Sequence, residues 1–353
     1  MRKILINGDF FCRRLTGIER YAYEITMRLD TLCKPGEVAI IIPGNAHNVP
    51  VFSNMEVIRY KKIKSHLWWQ MVTLQWFLMT HRKYTVLEFG NTCLPFAPGI
   101  VFLHDIYCEF FPEDFTSRRD RIIRLYNRWQ YRLISKKAKK ILTVSNFTRS
   151  QVAEKFGVNP EKITVIYSSW EHLKNIEPDN AVFDCHPLLV KNGYFFLLGS
   201  LSKRKNIKWV IEYAQKNPNS IFAVSGVSLP TVKADELDNA ALKNIVLLGY
   251  LDDGKVKALM THCKAFMLPS YYEGFGLTPL EALACGAQII VAKAASLPEI
   301  YGNTAHYIDP FDTNVDLEKL LQQPVEPPDA ILEKYSYDKA TCTVYTIIQE
   351  HSR

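Results

Sequence analysis

Two glutamates, Glu273 and Glu281, bracket the most chemically loaded stretch of the chain, PSYYEGFGLTPLEALACG from Pro269 to Gly286. An apolar run ends near Leu268, and the loop after it holds Glu273, Gly274, Phe275 and Gly276. The spacing predicts a helix from Pro279, with Thr278 as N-cap and the proline at the first position, where its missing N–H costs nothing. Glycines on both sides of Phe275 let the backbone approach a ligand closely, and free amides at the helix start suit a phosphate. Carboxylates repel diphosphates, so the two glutamates would hold hydroxyls. Two plainer readings stand beside this one. Glu281 follows Thr278 at the spacing of a capping box, and Glu273 is equally consistent with a solvated loop residue that contributes little to a core.

A second cluster lies in YFFLLGSLSKRKNIKWVIEYA, again strand, glycine turn and helix. Arg204 and Lys205 fall just before that helix, where a bidentate guanidinium and a compact ammonium suit a pyrophosphate. A solvated basic loop is the alternative. His104 and Asp105 directly follow the apolar run Ile100 to Leu103. A histidine there could bond a hydroxyl or steady developing charge, or it could be a buried structural residue. Asp105 could orient it or cap the next element. Gly17, at a loop–helix junction, could admit a phosphate oxygen to its backbone, or serve only the turn.

Alternating strands and helices must position these residues. Strands are expected at Lys3–Asn7, Val38–Ile42, Ile100–Leu103, Ile141–Val144 and Ile163–Ile166, with a helix from Gly17 capped by Thr16 and Glu19. A polar connection from Glu171 to His186, followed by Pro187, reads as a domain boundary. The alternation restarts at Tyr194–Leu198, Ile221–Val224, Ile245–Leu248, Ala265–Leu268 and Gln288–Val291. Two such runs imply an α/β protein of two Rossmann-like parallel-sheet domains, with ligands at the carboxyl ends of the strands in a cleft between them. The expected division is residues 1–175 and 186–337, with the terminal helix of 338–353 packing back on the first domain.

The 353 residues suit two domains, and 48% hydrophobic with 22% charged residues is ordinary for a globular chain. Eight cysteines without a CxxC pair argue for reduced thiols in the cytoplasm, against a zinc site or a disulfide framework. The apolar run of MRKILINGDF is too short for a signal peptide. Leu67 to Met79 falls short of the ~20 apolar residues of a membrane span and reads as core. The net charge of +7 divides into about +12 before Glu171 and about −5 after it. A basic half can face nucleic acid, an anionic membrane or an anionic substrate. Arg118 to Lys140 interleaves cations with Ile122, Ile123, Leu125, Tyr126, Trp129 and Leu133, as a basic amphipathic helix does on an anionic leaflet. The other reading packs those apolar residues inward and leaves only a solvated basic face.

The chain resembles family 4 of the nucleotide-sugar glycosyltransferases, retaining enzymes of the GT-B fold. The resemblance runs through TGIERYAYEI, FLHDIYCEFFPEDF, LTVSNFTRSQVAEKFGVNPEKITVIY, GSLSKRKN, LGYLDD, the paired-glutamate segment and SLPEI, in that order. It implies that Glu273 contacts the donor sugar and Glu281 the ribose. Arg204 and Lys205 would then hold the diphosphate, and the backbone of Gly274, Phe275, Gly276 and Leu277 would face the sugar and phosphates. His104 would stand beside the reaction centre with Asp105 next to it, Gly17 near the phosphates, and Tyr250 and Leu251 near the base. Lys203 replaces a proline that many relatives carry before the Arg–Lys pair, which bears on loop stiffness rather than charge. The implied donor is a nucleotide-diphosphate sugar, with GDP-mannose favoured over UDP- or dTDP-sugars by the look of the first domain. The acceptor would be a glycan or lipid-linked glycan, in bacterial surface polysaccharide synthesis, with an anionic membrane surface as further partner. No cofactor or nucleic acid is expected. No Asp-x-Asp motif is present to hold a metal on the diphosphate, so cationic side chains and helix N-termini would stabilise the leaving charge. A GT-B sugar-nucleotide epimerase shares the fold but needs no acceptor. A nucleic-acid-binding protein accounts for the basic half but not for the Glu273 loop.

Overall fold

The computed structural model describes residues 2–15, 17–63, 65–199, 202–226 and 243–352. Thr16, half of the expected capping box, lies outside them, as do Ser200 and Leu201 ahead of Arg204. The chain forms two compact units, Met1–Ser168 with Ser336–Arg353, and Ser169–Tyr335.

The first unit is built on a seven-stranded parallel sheet in the order β3-β2-β1-β4-β5-β6-β7. Its strands are β1 (Lys3–Asn7), β2 (Val38–Pro43), β3 (Glu56–Tyr60), β4 (Tyr84–Glu88), β5 (Ile100–Phe102), β6 (Lys140–Thr143) and β7 (Ile163–Val165). Strands β3 and β4 are absent from the sequence reading. The first, EVIRY, is an edge strand with charged, exposed positions, and the second ends on a buried glutamate that breaks its apolar run. Strand residues alternate between two covered faces. Ile4 and Ile6 pack with α1 (Gly17–Leu32) and the C-terminal helix (Tyr337–Ser352), while Leu5 packs with Trp69, Leu74 and Phe77 from the opposite layer.

That opposite layer corrects the reading of Leu67 to Met79 as core. It runs through α2 (His66–Trp68), a π-helical segment (Trp69–Leu74) and α3 (Gln75–Thr80). Trp69, Leu74, Phe77 and Leu78 are buried, but so are Gln70, Thr73 and Gln75, whereas Leu67, Trp68, Val72, Trp76 and Met79 are exposed. A helical segment lying on a sheet can bury only one stripe, and here polar residues occupy part of it. Beyond β5 come α4 (Tyr107–Phe110), α5 (Arg118–Lys137), with a full Ser117–Asp120 capping box, and α6 (Asn146–Phe156).

The second unit carries a six-stranded parallel sheet in the order β10-β9-β8-β11-β12-β13. The strands are β8 (Tyr194–Leu198), β9 (Ile221–Ser225), β10 (Ile245–Gly249), β11 (Ala265–Leu268), β12 (Ile289–Ala292) and β13 (His306–Ile308). Its helices are α7 (Ile207–Lys216), α8 (Asp253–His262), α9 (Leu277–Ala284), α10 (Leu297–Tyr301), α11 (Leu317–Leu321) and α12 (Asp329–Lys334); the C-terminal helix of the first unit is α13. Phe195, Leu197, Phe222, Val224 and Met267 meet Trp209, Val210 and Tyr213 of α7 in one core. The segment from Glu171 to His186, expected as a connection, is folded into this unit. Leu173 is buried, and the Lys257 ammonium donates to the carbonyls of Leu173 and Ile176 at 2.9 and 2.7 Å.

In each sheet the chain leaves adjacent strands in opposite directions, at β1/β4 in the first and β8/β11 in the second. Such switch points leave a crevice at the carboxyl ends of the strands. Among the described residues no helix is long and apolar enough to cross a membrane.

Candidate active site

At the switch point of the second sheet, the loops after β8 and β11 are fastened to each other. Lys203–Lys205 form a single 3-10 turn, and Asn206 follows with φ +57°. The Asn206 side-chain amide donates to the carbonyls of Pro269 and Pro310 at 3.1 and 2.7 Å, and the Tyr271 amide donates to the Arg204 carbonyl at 3.2 Å. These bonds fix the basic turn without the proline that Lys203 replaces.

The Lys205 ammonium lies 2.7 Å from Glu273 Oε1. Glu273 is 6% exposed, which removes the reading of it as a solvated loop residue. Burial pushes its carboxyl up, but Lys205 and Arg204 outweigh burial and hold it below the usual range. The Ser296 hydroxyl donates to the Glu273 carbonyl at 3.0 Å, and the Tyr301 hydroxyl donates to that of Gly276. Phe275 stands edge-on to Tyr335, ring centres 5.4 Å apart. A buried carboxylate charge is thus kept ionised by two cations on a rigid floor, an arrangement preorganised for a ligand bearing both hydroxyls and negative charge.

Helix α9 begins earlier than expected. Its first residue is Leu277 and its N-cap is Gly276, at φ +79°. A Cβ on Gly276 would sit 2.5 Å from a Leu297 methyl, so conformation and space both require glycine there. Thr278 therefore lies inside the first turn and cannot be the N-cap, and the capping-box reading of Glu281 falls with it. Glu281 instead reaches His172 Nε2 at 3.0 Å, both side chains being buried. His172 escapes sequence reading because it lies in the segment taken for a linker. Tyr250 and Leu251 follow the edge strand β10, apart from this cluster; Tyr250 is exposed and Leu251 half-buried.

In the first unit His104 is a packed residue. Its Nε2 is 2.7 Å from the Phe89 carbonyl, its ring stacks on Phe102, and Tyr21 meets it edge-on. Burial lowers its pKa below the ordinary value, against the Phe89 bond and the charges of Asp105 and Glu19. The neutral ring then carries its proton on Nε2, donated to Phe89, and Nδ1 is left as an acceptor. Asp105 Oδ1 accepts the Tyr107 amide at 3.1 Å, at the start of α4. Gly17 opens α1 at φ +36°, exposed, with open space where a Cβ would be.

The sequence gives little warning of what lies at the first sheet's switch point. A cavity of about 290 Å³ opens there, lined among others by Asn7, Asp9, Arg13, Glu19, His66 and Asn91. The Arg13 guanidinium bridges Asp9 at 2.8 Å and Glu19 at 3.2 Å, and its Nε donates to His66 Nδ1 at 3.1 Å. Below them, the Asn7 amide donates to both Glu88 oxygens, at 3.2 and 3.0 Å, and accepts from the Trp69 indole at 3.0 Å. Burial, helped by the Asp9 charge, pushes the Glu88 carboxyl up to about 8. These groups converge because β1 and β4 are neighbours; with β4 unread, Asp9 and Asn91 have no visible relation. Carboxylates, amides and a fixed guanidinium around a small cavity suit a polyhydroxylated ligand.

Two family models fit the chain, "Glycosyl transferases group 1" over residues 184–330 and "Glycosyltransferase Family 4" over residues 15–169. O-antigen chain mannosyltransferase B of Escherichia coli is 26% identical over 342 residues, covering 87% of each chain. O-antigen chain mannosyltransferase RfbU of Salmonella typhimurium is 26% identical over 239 residues, 67% of this chain and 63% of that protein. Among solved structures, HepE of Anabaena in complex with UDP and glucose superposes with a TM-score of 0.69 at 17% identity, covering 99% of this chain and 100% of the other.

Proposed function

The chain belongs to glycosyltransferase family 4 and has the GT-B fold, and from that premise we propose that it transfers mannose from GDP-mannose to a glycan or lipid-linked glycan. The observation that carries this reading is the Arg204–Lys205 turn fastened beside the buried Glu273 carboxylate. Bacterial O-antigen mannosyltransferases among the relatives support mannose as the sugar and surface polysaccharide as the product. The UDP in the HepE complex supports a nucleotide-sugar donor without choosing the base.

In this reading Arg204 and Lys205 bind the diphosphate, Glu273 a donor-sugar hydroxyl and Glu281, oriented by His172, the ribose. The Gly274–Leu277 backbone faces sugar and phosphates, Tyr250 and Leu251 take the base, and Gly17 lies near the phosphates. His104, with Asp105 beside it, accepts a sugar hydroxyl at Nδ1. The acceptor sugar occupies the Asp9–Arg13–Glu19 cavity. The bond from the anomeric carbon to the diphosphate oxygen breaks, and the acceptor oxygen bonds that carbon on the same face, so configuration is retained. The acceptor proton passes to a diphosphate oxygen, which requires no protein base. The leaving charge is largest in the transition state, where the fixed cations stabilise it most.

Helix α5 supports a peripheral membrane site of action on an anionic leaflet. Tyr131 and Ile134 pack inward, but Ile122, Ile123, Leu125 and Trp129 are exposed among its arginines. The basic outer face thus carries an apolar stripe.

The experiment is a panel of GDP-, UDP- and dTDP-sugars, scored by thermal shift and by nucleoside diphosphate release with and without a lipid-linked glycan. A nucleotide at 100 times its dissociation constant adds about 2.7 kcal/mol of stability. The expected result is stabilisation by GDP and acceptor-dependent release from GDP-mannose. Conversion of a nucleotide sugar to its epimer without acceptor, or no response to any nucleotide, refutes the reading.

A further inference from the structure

The outward stripe on α2, the π-helical segment and α3 has a counterpart that the catalytic reading does not use. Trp68, Val72, Trp76 and Met79 recur at helical spacing and all are exposed, Trp76 by 60%. The same helical run turns Gln70, Thr73 and Gln75 inward. With Trp69, Leu74, Phe77 and Leu78 buried against the sheet, the run is apolar on both faces, more than a helix needs whose only partner is its own domain. Phe96, 75% exposed, joins the stripe, because its backbone amide donates to the buried Gln75 side chain at 3.1 Å.

At the Met79 end lies a second cavity of about 340 Å³, lined by Arg2, Arg82 and Lys139 together with Met79 and Phe96, and by no carboxylate. The Lys139 ammonium is held toward it by donating to the Thr85 hydroxyl at 2.9 Å, and burial and the charge of Arg2 lower its pKa. The cavity is at the amino ends of the central strands β1 and β4, the opposite ends of the same strands from the Asp9 cavity. Three cations without an anion call for a phosphate-class ligand, and the apolar rim calls for a ligand with hydrocarbon attached. A second copy of this chain fits poorly, since it would set one basic face against another. The run packs beside α5: the buried Gln130 side chain touches the Met71 sulfur at 3.9 Å, and Lys137 of α5 donates to the Pro95 carbonyl, next to Phe96, at 3.0 Å.

We infer that this face seats on an anionic lipid bilayer, with one lipid phosphate held among Arg2, Arg82 and Lys139 and the Trp68–Met79 stripe in the headgroup region. The inference rests on the membrane reading proposed for α5 and adds a second contact with a defined headgroup site. Tryptophan favours that depth because its ring is amphipathic, and cations near the surface add attraction that salt screens.

Cosedimentation of the full chain tests it, using phosphatidylethanolamine vesicles with and without phosphatidylglycerol. The variants are Val72→Ser/Trp76→Ser, Arg2→Ala/Arg82→Ala and, for α5, Ile122→Ser/Leu125→Ser. Thermal melting and GDP binding establish that each is folded. The parent is expected to bind the anionic vesicles at least tenfold more tightly than the neutral ones. The stripe variant should lose about tenfold on both, and the arginine variant should lose mainly the anionic preference. Loss confined to the α5 variant overturns this inference and leaves the α5 reading standing. No binding by the parent overturns both. Inorganic phosphate or a DNA duplex bound at the cavity, with vesicle binding indifferent to the arginine variant, overturns the lipid assignment.

Discussion

Replacing Lys205 by methionine should cost the protein stability as well as activity. The residue is only 20% exposed at its side chain and sits 2.7 Å from a carboxylate that is 8% exposed. At that distance the pair's Coulomb attraction is about 6 kcal/mol with an effective dielectric near 20. Desolvation of both ions offsets much of it, so the pair itself contributes little net. The variant leaves Glu273 buried and less compensated, and breaking such a pair costs about 3–5 kcal/mol. The remaining Arg204 charge and the residual exposure of Lys205 place the expected loss at the lower end. Glu273→Gln added to Lys205→Met should restore most of it, because no lone charge is left. The pH dependence has a definite sign. Glu273 lies below its ordinary 4.5 in the parent, so the stability it contributes is present above pH 4.5 and lost as pH falls through the lowered value. In the variant the carboxyl rises, so parent and variant should converge in acid. Urea denaturation of the parent, both single variants and the double, at pH 7 and pH 4, measures all of this. A coupling energy under about 1 kcal/mol, or a gap that does not change with pH, would refute the reasoning.

Glu88→Gln should stabilise the first unit at neutral pH, since the folded carboxyl titrates near 8 against an ordinary 4.5. A group raised in this way favours folding in acid, and stability is lost between those values at roughly 1.4 kcal/mol per pH unit; denaturation at pH 5 and pH 7.5 would show the advantage growing. Gly276→Ala should lower stability by about 2–4 kcal/mol, combining a left-handed backbone with overlap on Leu297, and a thermal melt unchanged from the parent would contradict the geometry. Sugar transfer should persist in EDTA, because Arg204 and Lys205 take the charge that a metal would otherwise hold. Complete loss, restored by magnesium or manganese, would transfer that role to an ion.

Local pattern determined a good deal of this protein. Alternating apolar runs and helical periods located β1, β2 and most strands of both sheets, because a strand covered on both faces must be apolar throughout. Order and chemistry alone marked Glu273, Glu281, Arg204 and Lys205, since glycines and charges at strand ends have few structural uses. Tertiary structure decided what those signals meant. Local spacing allowed Thr278 to cap a helix and Glu281 to complete the box, but the left-handed Gly276 packed under Leu297 starts the helix earlier and sends Glu281 to His172. Strand adjacency decided more. Asp9 and Asn91 are far apart in sequence and share a cavity only because β4 pairs with β1, a hydrogen-bonded neighbour that no local window contains. Exposure was likewise invisible. Leu67 to Met79 is apolar enough for a core, yet the sheet beneath has room for one helical stripe, and that limit turns Trp68, Val72, Trp76 and Met79 outward.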